Sequence, residues 1–119
     1  IYFGGKLIQN LKKNLAGAIK HVKTTHKVNI IDEKIKKMSS LNDINDIKVN
    51  SYHNDGITKK ELAKDLFSFA ESKDRLIEGV YHKNLPIVGI MWHPERKKIK
   101  TEFDNKLIDY FIKRKLYWQ

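Results

Sequence analysis

The hydrophobic pattern reaches its strongest run late in the chain, at Ile87-Val88-Gly89-Ile90-Met91-Trp92, and stops abruptly at His93-Pro94-Glu95. A short, wholly apolar run is what a strand covered on both faces presents. Upstream, His26-Lys27-Val28-Asn29-Ile30-Ile31 alternates and reads as a strand. Ile47-Lys48-Val49-Asn50-Ser51-Tyr52-His53 reads as another, running into Asn54-Asp55-Gly56, residue types that favour turns and positive φ. Residues 66–71 and 76–82 predict two further strands, joined by a turn at Ser72-Lys73-Asp74-Arg75.

Helical spacing is confined to three places. Residues 6–20 predict a short helix broken near Gly17. Ile35, Met38 and Leu41 recur at helical spacing inside a polar, turn-prone stretch. Residues 101–115 predict a helix whose apolar face is Phe103, Leu107, Tyr110 and Phe111, with Thr101 able to cap its start. Strands mixed with helices, and a final helix after a buried strand, predict α/β layers. The opening Ile1-Tyr2-Phe3-Gly4-Gly5 reads as the end of a helix stopped by glycine. Its beginning is not in these residues, so the chain is expected to be the C-terminal part of a longer protein, one partial domain over residues 1–119.

Composition narrows the chemistry. The 119 residues contain no cysteine, which excludes a disulfide and a thiolate metal site. The longest apolar run is far too short to span a bilayer. No basic start followed by an apolar stretch marks an export signal, and a cytoplasmic location is expected. The formal net charge of +10 raises the question of nucleic acid. Almost all of it is scattered lysine, however, since only Arg75, Arg96 and Arg114 are arginine. The denser clusters, Arg96-Lys97-Lys98 with Lys100 and Lys113-Arg114-Lys115, lack the interleaved aromatics that stack on bases. A lysine-rich solvated surface is expected, with neither a nucleic-acid nor a membrane partner.

The end of the apolar run carries the chemistry. In extended chain, residues i and i+2 share a face, and Pro94 favours extension of His93. Glu95 can then accept one ring N–H of His93, fixing the tautomer and leaving the other nitrogen as a base. That is the base-and-orienter half of a catalytic triad. A bare His-x-Glu is also what an ordinary salt bridge looks like, so the surrounding string matters. Trp92 is expected to point the other way, into packing. His21, His26 and His82 show no ligand spacing and read as surface or strand-edge histidines, so no metal or cofactor is expected.

Gly89-Ile90-Met91-Trp92-His93-Pro94-Glu95 resembles the C-terminal triad signature of class I glutamine amidotransferases. Val49-Asn50-Ser51-Tyr52-His53, the stretch from Phe69-Ala70 to Ile77-Glu78-Gly79, and Tyr2-Phe3-Gly4-Gly5-Lys6-Leu7 are similar, in the same order, to the γ-glutamyl hydrolase branch of that superfamily. The resemblance covers nearly the whole chain; the Trp-His-Pro-Glu string is its most specific part. It implies a flavodoxin-like α/β fold, of which this is the C-terminal portion, and a Cys-His-Glu triad. His93 matches the general base and Glu95 its orienter, while Ser51, Tyr52 and His53 match a loop lining the glutamyl pocket. The family's nucleophilic cysteine and oxyanion-hole glycines precede the segment that Tyr2–Gly5 matches. The residues after His53, Asn54 and Asp55, depart from the common pattern and leave the acceptor side of the substrate unassigned.

The implied reaction is hydrolysis of a γ-glutamyl amide of a small-molecule substrate. Two alternatives stay open: an amidotransferase passing ammonia to a synthetase partner, and a truncated domain without catalysis. An anion-binding module driven by the positive charge is a third class. The leaving amine and the oligomeric state stay unassigned. Without the central strands that the resemblance places upstream, the isolated chain is expected to expose strand edges and to be poorly soluble or self-associating.

Overall fold

A computed structural model describes residues 1–40, 46–96 and 101–116. Leu41 and the Lys97, Lys98 and Lys100 cluster lie outside the described residues. The order of elements is α1 (Leu11–Asn14), β1 (Thr24–Ile30), α2 (Glu33–Ser39), β2 (Asp46–Ser51), β3 (Leu66–Ser72), β4 (Ile77–His82), β5 (Val88–Ile90), a 3-10 turn (Pro94–Arg96) and α3 (Glu102–Ile112). The strands form one sheet in the order β2-β1-β3-β4-β5, with every neighbouring pair antiparallel.

Alternation along β1 sends Val28 and Ile30 into the core. Ile47 and Val49 of β2 stand opposite Val28 and His26, on the same face. Phe69 and Ala70 of β3 are both in the core although adjacent, because the β3–β4 register shifts there. Gly79 makes this possible: a Cβ at that position would lie 2.5 Å from the Phe69 ring. The core is completed by Ile35 and Met38 of α2 and by Phe103 and Leu107 of α3.

Both helices have built caps. Asp32 accepts hydrogen bonds from the Lys34 and Ile35 amides at 2.9 and 3.1 Å. Thr101 and Asp104 form a reciprocal capping box at the start of α3. Lys106 of α3 donates to the Ser39 carbonyl and the Ser40 hydroxyl, tying the two helices together.

Three local expectations are corrected. The apolar run at 87–92 yields only the three-residue β5, which is the sheet's last strand and half-buried, so it is not covered on both faces. The run is apolar because its residues pack against the core from that edge: Val88 and Ile90 touch it and Trp92 enters it. The Asn54-Asp55-Gly56 loop forms without any positive φ. Gly56 instead pairs with Ile8 through two backbone hydrogen bonds of 2.8 and 3.0 Å. Asp55 and Asn54 anchor α1, accepting from the Asn10 and Leu11 amides. Lastly, on α3 Phe103 and Leu107 are buried, but Phe111 is exposed and Tyr110 only partly covered.

Candidate active site

The strand end does pair its base with its acid. His93 Nδ1 and Glu95 Oε1 are 2.8 Å apart. The route differs from the extended chain that Pro94 suggested. Pro94–Arg96 is a 3-10 turn, closed by the Arg96 amide donating to the His93 carbonyl at 3.1 Å. The turn, not strand alternation, folds Glu95 back onto the ring. The hydrogen bond from His93 and the neighbouring positive charges hold the Glu95 carboxyl below its ordinary value. Because an ionised Glu95 can only accept, Nδ1 carries the proton beside it and Nε2 keeps the lone pair.

Two further residues hold the site in place. Asn50 of β2 accepts from the His93 amide and donates to the His93 carbonyl, both at 2.8 Å. These bonds bridge the two opposite edges of the sheet, so the strand order alone would leave them far apart; the curl of the sheet closes them. Trp92 points away from the pair into the core, as expected, and its indole N–H donates to the buried Asp104 at 2.9 Å. Asp104 is also the capping-box acid of α3, so the start of that helix is pinned to the residue before His93.

The segment Ser51-Tyr52-His53 is divided by alternation. Tyr52 turns to His93, with ring centroids 5.7 Å apart and edge to face. The Arg96 guanidinium lies 4.5 Å from the centre of the same Tyr52 ring, a cation–π contact. Ser51 is fully buried, and its hydroxyl faces His21 at 3.4 Å. His53 turns inward as well, with Nε2 at 3.5 Å from Glu78 Oε1. The structure therefore brings Tyr52 to the His93–Glu95 pair and takes Ser51 and His53 to a second group.

That second group was not legible as a site. His21 and His26 are not surface or strand-edge residues. Their side chains are buried, and β1, which carries His26, lies between β2 and β3. Both reach Glu78 Oε1 at 3.5 Å, as His53 does. Burial pulls the His53 pKa down, but contact with the Glu78 carboxylate, its charge and the Asp55 carbonyl outweigh this and leave it raised. Asp74 is held below its ordinary value: burial would raise it, but hydrogen bonds from Ser72, His21 and the Ile19 amide prevail. His82 is buried too, its Nδ1 accepting from the Asn84 and Leu85 amides. A cavity of about 360 Å³ is lined in part by His21, His53, Leu11 and Ala18.

An antiparallel sheet with α2 and α3 packed on its core gives an α/β fold of the glutamine amidotransferase-like kind. A solved Thermoplasma acidophilum structure, named for a GMP synthase component, superposes with a TM-score of 0.65 over 95% of this chain and 51% of that one, at 22% identity. The chain belongs to the peptidase C26 family, whose model matches residues 1–95. Among relatives, a Schizosaccharomyces pombe protein named for a glutamine amidotransferase is 37% identical over 96% of this chain and 45% of its own length. The γ-glutamyl-CDP-amidate hydrolase of Campylobacter jejuni is 48% identical over 40% of this chain and 23% of its own. The chain spans about half the length of the curated relatives it matches over most of its length.

Proposed function

We propose that this chain is the base-bearing portion of a γ-glutamyl amide hydrolase of the Cys-His-Glu type. The observation that carries the reading is the 2.8 Å contact between His93 Nδ1 and Glu95 Oε1, on a backbone held by Asn50. In the reaction a thiolate attacks the γ-carbonyl. His93 Nε2 takes the thiol proton and passes it to the leaving amine. Glu95 keeps the ring in its tautomer and stabilises the imidazolium. Water then releases glutamate from the acyl-enzyme. The chain has no cysteine, so the thiol is supplied by residues outside these 119.

Tyr52 is the residue of the Ser51-Tyr52-His53 loop best disposed to line the glutamyl site, since its ring faces His93. The match to a γ-glutamyl-CDP-amidate hydrolase supports the hydrolase reading. A second reading, ammonia transfer to a synthetase partner, draws on the 43% identity to anthranilate synthase component 2 of Methanocaldococcus jannaschii over 51% of this chain.

The test is to read the coding sequence upstream of Ile1, express the whole reading frame and assay glutamate release from glutamine and from a panel of γ-glutamyl amines. A cysteine in a glycine-flanked strand-to-helix turn just before Tyr2, with release from the amines, is the expected result. Absence of such a cysteine, or of any glutamate release, would overturn the proposal. Release from glutamine that rises only when a synthetase is added would select the second reading.

A further inference from the structure

We propose that His21, His26, His53 and Glu78 form a binding site for a divalent transition-metal ion of the zinc class, separate from the His93–Glu95 pair. Their ligand atoms all lie within 4.8 Å of one another. His21 Nδ1, His26 Nε2 and His53 Nε2 each lie 3.5 Å from Glu78 Oε1. A tetrahedral zinc site with ligand bonds of about 2.0–2.2 Å has ligand atoms about 3.4 Å apart. The carboxylate is thus already at ligand spacing from all three rings, and the rings have only to draw in around a common centre.

Hydrogen bonding fixes what these nitrogens can do. The other nitrogen of each ring faces an oxygen that only accepts. His21 Nε2 faces Asp74 Oδ2 at 2.9 Å, His26 Nδ1 the Lys27 carbonyl at 3.1 Å, and His53 Nδ1 the Asp55 carbonyl at 3.0 Å. Those nitrogens therefore carry the hydrogens. In the neutral rings, the three nitrogens facing Glu78 are lone pairs directed at a carboxylate oxygen. Four acceptors converge, and among the described residues the donor beside them is the Ser51 hydroxyl, 3.4 Å from His21 Nδ1, which leaves the other three groups unmet. Among the described residues, both Glu78 oxygens, His26 Nε2 and His53 Nε2 are buried without a hydrogen-bond partner, and the Glu78 side chain is 1% exposed.

Unsatisfied buried acceptors are costly, and a proton on one ring would relieve only one contact. Protonating all three would crowd positive rings whose centroids are as close as 4.7 Å. A dication satisfies all four groups together. The outer partners match what metal-bound histidines require, a carboxylate or carbonyl on the second ring nitrogen. Imidazole nitrogens with one carboxylate suit zinc, cobalt or nickel rather than calcium or magnesium. The cavity lined by His21 and His53 supplies a route in. The four ligands come from the segment before β1, from β1, from the end of β2 and from β4, so the ion would clamp three strands.

The test measures metal directly and needs no turnover. Purified protein is dialysed against zinc at matched concentration and the metal is counted by mass spectrometry. Cobalt is then added to metal-stripped protein and the visible spectrum recorded. One zinc per chain, intense tetrahedral cobalt bands and a melting temperature that rises with zinc are expected. Glu78→Gln and His26→Gln should lose the bands. Asp74→Asn should weaken zinc binding about 10- to 100-fold. Background zinc and no cobalt bands in the wild type would overturn the site without any variant. So would wild-type stoichiometry and spectrum in folded Glu78→Gln, which would place the metal elsewhere. If Glu78→Gln does not fold, the wild-type spectrum and His26→Gln decide. Failure of the hydrolase assay would leave these readouts untouched.

Discussion

Two histidine–carboxylate groups lie to either side of the Ser51-Tyr52-His53 segment, and they are built in opposite ways. Around His93, one carboxylate makes one short contact of 2.8 Å and is 65% exposed. Around Glu78, three imidazoles share one buried carboxylate oxygen at 3.5 Å, and among the described residues no hydrogen bond to that carboxylate is completed. The first leaves a ring nitrogen open to act on something that comes and goes, which is what proton transfer needs. The second turns every free lone pair inward, which is what holding a cation needs. Residues 51–53 serve both groups because successive side chains on an extended segment face opposite ways.

The largest effect that would sharpen this contrast is on turnover. In the full-length protein, His93→Ala should lower glutamate release by about 10²–10⁴-fold while leaving the melting temperature nearly unchanged, because among the described residues the ring touches an exposed acid and the partly exposed Tyr52. A melting temperature that collapsed with the activity would instead make His93 a structural residue. Asn50→Ala comes next. It removes both hydrogen bonds that fix the His93 backbone. Misplacing a catalytic group by about 1 Å costs on the order of 10²-fold, and the freed backbone groups cost about 1–3 kcal/mol. Urea denaturation and the rate assay should both register it; a rate equal to wild type would detach Asn50 from the site.

Smaller again is Gly79→Ala. The added methyl would meet the Phe69 ring at 2.5 Å, and such overpacking costs about 1–3 kcal/mol. Chemical denaturation should show the loss, and because Gly79 follows Glu78, zinc binding should weaken with it. The smallest effect is in titration. The folded pKa of Glu95 is depressed by His93, so the pair's contribution is fully present above the ordinary carboxylate pKa. It fades only as pH falls through the lowered value. A carboxyl NMR titration should place Glu95 below an ordinary glutamate in wild type and move it upward in His93→Ala, which removes the largest lowering contact.

The sequence made the first group readable and hid the second. His93 and Glu95 are two residues apart, so their meeting depended only on local backbone, and either an extended chain or a 3-10 turn would bring it about. The strands were legible from alternation at residues 26–31 and from β-rich runs at 66–71 and 76–82. His21, His26, His53 and Glu78 are separated by intervals that only the sheet's register brings together, and even His53, matched to a pocket loop, gave no sign of the other three. Asn50 was equally silent: it sits on the opposite face of β2 from Val49, and its partner lies just beyond the far edge strand. The one usable hint was Glu78, an acid inside an otherwise apolar strand, Leu76-Ile77-Glu78-Gly79-Val80. A charge buried there needs compensation.

The most direct test of the central claim is chemical rescue of His93→Ala in the full-length protein, with glutamate release measured against added imidazole. If His93 is the base, release is lost in the variant and recovers in proportion to imidazole, with no response in wild type. A variant that releases glutamate at the wild-type rate without imidazole would contradict the account.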